Sequence, residues 1–172
     1  MTSVSFDDAI PIVNERAENL RKSIYSAADV NLELTNDYLI KNWLDESAIS
    51  VVFGDSNSGK SFFAVDLAYH VASGKNWFGN RVKAGQVLYI AAEGGRGFNK
   101  RIAAVKNNKP DLHEAGCKNL MLLPVQIDLH GAEDVEAITS QTNKQDYDLL
   151  VIDTLAMSIG EGSENDGRDM GM

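Results

Sequence analysis

The residues Gly54-Asp-Ser-Asn-Ser-Gly59-Lys60-Ser61 satisfy the pattern G-x-x-x-x-G-K-[ST] without deviation. Such a loop is expected between the end of a buried strand and the start of a helix, so it constrains the reading on both sides. The apolar run Ile49 to Phe53 precedes it, and a helical pattern from about Lys60 to Ala72 follows. Its glycines let backbone N–H groups turn toward a phosphate, and the helix N-terminus adds partial positive charge. Lys60 is then in reach of the β and γ phosphates, and the Ser61 hydroxyl is in reach of magnesium. The expected ligand is ATP with Mg2+, contacted by Gly54, Asp55, Ser56, Asn57, Ser58, Gly59, Lys60, Ser61 and Phe62. The plain alternative, a glycine turn with no ligand, leaves the strand before it and the helix after it unexplained.

From Ala48 onward short apolar runs alternate with helical stretches, the pattern of an α/β chain with a mainly parallel sheet flanked by helices. Four strands are expected: Ile49 to Phe53, Gln86 to Ala92, Leu120 to Leu123 with Val125 to Leu129 as its continuation past Pro124, and Leu149 to Leu155. Helices are expected at about Lys60 to Ala72, Phe98 to Asn107 and Ala132 to Thr142, with Gly74 and Pro110 as stops for the first two. Before about Asn36 the pattern differs. Ile10, Val13, Ala17, Leu20, Ile24 and Ala27 recur in steps of three and four, the stripe of an amphipathic helix starting near Asp7, Asp8 and Pro11. Residues 1–35 are therefore expected to form a helical arm, and 36–172 the core. The stripe has two uses open to it, packing on the chain's own core or docking on a neighbouring subunit.

A P-loop needs a second anchor for its cation, and Leu149-Leu-Val-Ile-Asp153 supplies one. Four apolar residues bury the strand, and Asp153 emerges at its carboxyl end, the edge where open α/β sheets bind ligands. Ser61 and Asp153 are accordingly the expected magnesium residues. The next position, Thr154, has no carboxylate to orient an attacking water. Val87-Leu-Tyr-Ile-Ala-Ala-Glu93 ends in one at the same edge, so Glu93 with Lys60 forms the expected catalytic pair. The competing reading of Glu93 is a cap for the helix that follows Gly94 to Gly97.

A net charge of −9 argues against a protein that coats nucleic acid by charge alone, while leaving room for a local basic path such as Lys100, Arg101 and Lys106. The single cysteine, Cys117, has no disulfide partner in the chain, and His70, His113 and His130 lack metal-ligand spacing. No apolar run approaches the roughly 20 residues of a membrane span, and the N-terminus lacks signal-peptide character. A cytoplasmic, non-membrane protein is expected.

The order of P-loop, strand ending in glutamate and strand ending in Asp-Thr resembles RecA-type ATPases. The segments YIAAEGGRGFNKRIAA, VIDTLAMSIGEGSEND and NDYLIKNWLDESAISVVFGDSNSGKSFFA are similar to those of RepA-like hexameric helicases of plasmids and phages. The resemblance covers the chain from Tyr38 onward. It implies a RecA-like core in which Lys60 and Ser61 meet phosphate and magnesium, Asp153 meets magnesium and Glu93 meets water. It also implies ATP hydrolysis, a hexameric ring and single-stranded DNA as a partner, in replication or repair. Members of that group continue with further strands, nucleic-acid loops and an arginine that reaches the next subunit. This chain is therefore expected to be incomplete at its C-terminal side, with a polar tail from Gly160, and Arg81, Arg96, Arg101 and Arg168 read as solvated charges. A different class stays open, a truncated module that holds ATP without hydrolysing it. A small-molecule P-loop kinase is disfavoured because no arginine-rich lid is visible.

Overall fold

Five consecutive apolar residues, Val87–Ala91, are buried at every position and form the central strand of the structure. A strand buried on both faces needs a cover on each, and β-branched and aromatic residues suit that place. The computed structural model describes residues 17–29, 37–93 and 95–159. The chain divides into two compact units, residues 1–36 and 37–172.

In the second unit the elements run β1 (Tyr38–Ile40), β2 (Leu44–Asp45), α1 (Lys60–Ser73), β3 (Val87–Ala91), α2 (Gly95–Asn108), α3 (Pro110–Gly116), β4 (Leu120–Leu123), α4 (Ala132–Lys144) and β5 (Leu149–Asp153). β1 and β2 pair as a short antiparallel ribbon. β3 lies between β4 and β5, and all three run parallel. Its register sets Val87 opposite Leu149, Tyr89 opposite Val151 and Ala91 opposite Asp153.

Strand alternation sends the odd and even residues of β3 to different covers. Val87, Tyr89 and Ala91 join the larger core with Val65, Ala68, Tyr69, Val71 and Ala72 of α1, Phe98 of α2 and Leu112 of α3. Leu88 and Ile90 face a smaller core with Ile127, Ile138 of α4 and Ile152. The result is helix, sheet and helix in three layers. α1 ends at Gly74, whose φ of 67° lets its N–H turn back to the Val71 carbonyl. A side chain there would also meet Ala84, at 2.8 Å from the added carbon.

Trp77, 1% exposed, closes one end of the larger core against Trp43 and Phe63. Its indole N–H donates to Asp66 Oδ2 at 3.0 Å, and Lys109 Nζ donates to Asp66 Oδ1 at 2.7 Å. Burial pushes the Asp66 carboxyl up, but the hydrogen bonds from Lys109 and Trp77 and the Lys109 charge outweigh it and hold the group below its ordinary 3.8.

The structure corrects several expectations. Ile49 to Phe53 is not a strand of the sheet: it pairs with no described strand, with Ile49 97% and Phe53 90% exposed. β3 is already paired on both sides, so an apolar run acquires a strand's hydrogen bonds only where a free edge lies alongside it in register. Val125 to Leu129 is likewise no strand, and the chain past Pro124 instead buries Ile127 against Leu88 and Ile90. β5 stops at Asp153, where a single 3-10 turn, Leu155–Met157, begins the exit. Pro110 does not merely end a helix. It opens α3 at the first helical position, where its missing N–H costs nothing.

In the first unit residues 17–22 are helical, and Leu20 and Ile24 of the expected stripe are exposed. Asp7, Asp8, Ile10, Pro11 and Val13, and the polar tail from Gly160, lie outside the described residues.

Replacing Asp66 by Asn tests this ion-paired corner. Because the folded carboxyl titrates below 3.8, its contribution is complete above that value and is lost as pH falls through the lower, folded one. Denaturant unfolding at neutral pH is expected to show Asp66→Asn less stable by about 1 kcal/mol. At a pH below the folded value the difference is expected to close.

Candidate functional site

The loop and α1 make an anion cradle from backbone alone. Gly59 takes φ 94°, a left-handed conformation that any side chain would strain, and Asn57 takes φ 64°. The first N–H groups of a helix have no intrahelical acceptor, and Gly59 offers them no side-chain cap. They are left to a ligand or to water, with the positive end of the helix dipole behind them. Lys60 Nζ donates to the carbonyls of Gly54 at 2.7 Å and Asp55 at 2.9 Å, so the ammonium lies folded across the mouth of its own loop.

β5 delivers Asp153 to this rim. The residue is 8% exposed, and both carboxylate oxygens are engaged. Oδ1 accepts from Ser61 Oγ at 3.0 Å, and Oδ2 accepts from Tyr89 OH at 2.7 Å. The Ser61 bond joins two residues far apart in sequence, and ties the first turn of α1 to the carboxyl end of β5. Burial above all, and then the hydrogen bond to Asp153 and its charge, push the Tyr89 phenol up, so it remains a proton donor at neutral pH.

Glu93 stands two residues past Ala91, which pairs with Asp153, and the intervening Ala92 N–H donates to the Asp153 carbonyl at 2.8 Å. The Glu93 and Asp153 side chains therefore leave the same end of neighbouring strands. Glu93 is exposed, and its Oε2 lies 4.0 Å from Arg101 Nη2. The Arg101 guanidinium lies 5.8 Å from the centre of the Phe62 ring. Lys60, Ser61, Asp153 and Glu93 are thus gathered at one rim of the sheet. Phe62 sits at its border with its ring exposed.

The donor set suits a hard cation. A carboxylate and a hydroxyl already at hydrogen-bond distance match Mg2+, which takes one or two protein oxygens and completes its shell with phosphate and water. Among the described residues no group of three or more His, Cys, Asp or Glu side chains forms a metal cage.

Two participants were not foreseen from sequence. Tyr89 reads as one more core residue of a buried strand. Its signal was parity, since Tyr89, Ala91 and Glu93 share one face under strand alternation. Arg101, expected as a solvated charge, is half-buried between Phe62 and Glu93. Lys100 and Lys106, its companions in the expected basic path, are exposed.

A parallel three-stranded sheet between helices, with a glycine loop at the head of a helix and a buried aspartate beside it, defines a P-loop nucleotide-binding protein. The chain belongs to the AAA domain family, which matches it over residues 15–172. It is accordingly a P-loop NTPase-like, ATP-binding protein, of a family that generally uses ATP with Mg2+. No curated protein matches the chain. No helix among the described residues is long and apolar enough to cross a membrane.

Lys60→Ala removes an ammonium that would make charge-assisted hydrogen bonds to phosphate, each worth about 1.5–3 kcal/mol. Titration calorimetry with ATP is expected to show affinity reduced about tenfold or more. Far-UV circular dichroism should stay unchanged, because the Lys60 ammonium bonds only carbonyls of its own loop among the bonds described and alanine suits a helix start.

Proposed function

We propose that this chain is the ATP-hydrolysing core of a RepA-like motor, which couples turnover to movement on single-stranded DNA as a ring of subunits. The observation that carries the reading is the convergence at one rim of an ammonium on a P-loop, a hydroxyl bonded to a buried aspartate, and a second carboxylate two residues past the end of the adjacent strand. Binding, charge neutralisation and water activation are the three requirements of phosphoryl transfer to water, and each has a group here. The extension to DNA and to a ring rests on the resemblance of the segments around Glu93 and Asp153 to RepA-like helicases.

In this mechanism the triphosphate lies along the N–H groups of Gly59 to Ser61. Lys60 exchanges the Gly54 and Asp55 carbonyls for phosphate oxygens. Ser61 and Asp153 would hold Mg2+, which would supply neutralisation of the triphosphate's negative charge. Glu93 accepts a hydrogen bond from a water in line with the γ-phosphorus. As the water oxygen bonds to phosphorus, the bond to the bridging oxygen breaks and ADP leaves. Glu93 takes the proton and passes it to solvent, to which it is open. Arg101, within ion-pair range of Glu93, restrains the carboxylate beside the site.

A second reading is favoured by the unpaired, exposed segment Ile49 to Phe53, which leads directly into the loop. A loop whose leading segment lacks a sheet partner is held less firmly. The chain by itself would then be an ATP-holding module without turnover, active or inhibitory only within a larger assembly.

Phosphate release with and without single-stranded DNA separates the two readings, and DNA-stimulated turnover eliminates the passive one. Within the first reading, Glu93→Gln is expected to keep ATP affinity within about twofold while lowering turnover about a hundredfold or more. Retained turnover removes Glu93 from the mechanism.

A further inference from the structure

The Asp153 carboxylate has two oxygens, and only one of them faces the P-loop. The other is held from within the protein by a side chain with no other polar task. Tyr89 is fully buried, and its ring lies on Phe98 with centroids 4.9 Å apart and planes 32° apart. Its hydroxyl, the only polar atom the side chain has, donates to Asp153 Oδ2 at 2.7 Å.

Register accounts for this contact. Tyr89 sits opposite Val151 in the parallel pairing, and Asp153 follows on the same face two residues further along β5. A long aromatic side chain on β3 spans that diagonal. Ala91, directly across from Asp153, is too small to block it. The ring cannot swing aside, because α1 and the first turn of α2 cover the face on which it lies.

We infer that Tyr89 is a positioning residue for the cation site: its hydrogen bond to Oδ2 fixes the Asp153 carboxylate so that Oδ1 is presented beside Ser61. The inference rests on the proposed reading of Ser61 and Asp153 as the magnesium residues. Tyr89 touches neither nucleotide nor cation, and acts only through Asp153. Without the phenol the carboxylate, joined to the backbone through one methylene and free about two bonds, has further orientations open to it, and each cation bound must then be matched by ordering it. Partners of this kind behind a ligating carboxylate are worth about 10–100-fold in metal affinity.

The test is Tyr89→Phe, which deletes one oxygen and keeps the ring on Phe98. ATP binding to the full chain is measured by titration calorimetry, first with a chelator and no divalent cation, then across a series of MgCl2 concentrations. The expected result is unchanged metal-free affinity and an increase of about tenfold in the Mg2+ concentration that half-saturates the magnesium-dependent gain. Replacement of Tyr89 by 4-aminophenylalanine, which restores an N–H donor at the same place, is expected to recover the wild-type requirement. It also serves as the second variant if the phenylalanine form does not fold. In an Asp153→Asn background Tyr89→Phe is expected to have no further effect on the magnesium series.

An unchanged magnesium requirement in Tyr89→Phe overturns the assignment. So does an equal loss with and without metal, which would make the phenol a packing element only. If wild-type chain binds ATP with no magnesium dependence at all, the reading of Ser61 and Asp153 fails, and the role of Tyr89 falls with it.

Discussion

The hydrogen bond between Ser61 and Asp153 is the constraint on which the arrangement of the site depends. The segment leading into the P-loop is outside the sheet, so the loop is not located by strand pairing on its N-terminal side. It is located from its C-terminal side. α1 packs Val65, Ala68, Tyr69, Val71 and Ala72 into the larger core, and its first turn is then tied to β5 through Ser61. Burying five such side chains fixes the helix firmly, at roughly 25 cal/mol for each Å² of apolar surface removed from water. The single polar bond adds little to stability by comparison, about 1 kcal/mol. Its importance is directional, because it selects which strand end the loop faces.

That division between packing and direction recurs around the rim. Tyr89 and Phe98 are core residues by burial, yet the one polar atom they carry between them is aimed at Asp153. Arg101 lies between an exposed phenylalanine of α1 and an exposed glutamate past β3, bridging the two across the rim. Trp77 performs the equivalent task beside Phe63 and Asp66 of α1, burying its ring while its N–H and the Lys109 ammonium each donate to an Asp66 oxygen. Each aspartate that the core half-buries is matched by hydrogen-bond donors, which is the condition for keeping a carboxylate there.

What could be read from sequence was whatever depends on near neighbours. The loop, α1, β3, β4, α4 and β5 follow from glycine placement and from runs whose periodicity is local, and the helices and strands among them lie within two residues of their expected bounds. The failure at Ile49 to Phe53 has a physical cause: hydrophobicity records that a run would profit from burial, whereas a strand also needs a partner edge, which is a long-range property. The β1–β2 ribbon was missed because it is very short and turns through Asn42, whose φ of 65° is legible only in hindsight. α3 was missed because proline marks helix starts as well as stops. At the site, Lys60, Ser61, Glu93 and Asp153 were named from strand ends and motif spacing. Tyr89 and Arg101 were not, since one is defined by register between two strands and the other by the packing of two helices.

If Ser61 and Asp153 act as one device, removing either should undo most of what the pair does for the metal-bound nucleotide. A double-mutant cycle with Ser61→Ala and Asp153→Asn, read by the affinity for ATP in saturating Mg2+, measures this directly. The account predicts strong coupling: the double variant loses little beyond the larger single loss, an interaction of about 1 kcal/mol or more. Losses that simply add would contradict it, and would mean that the two residues adjoin without sharing a ligand.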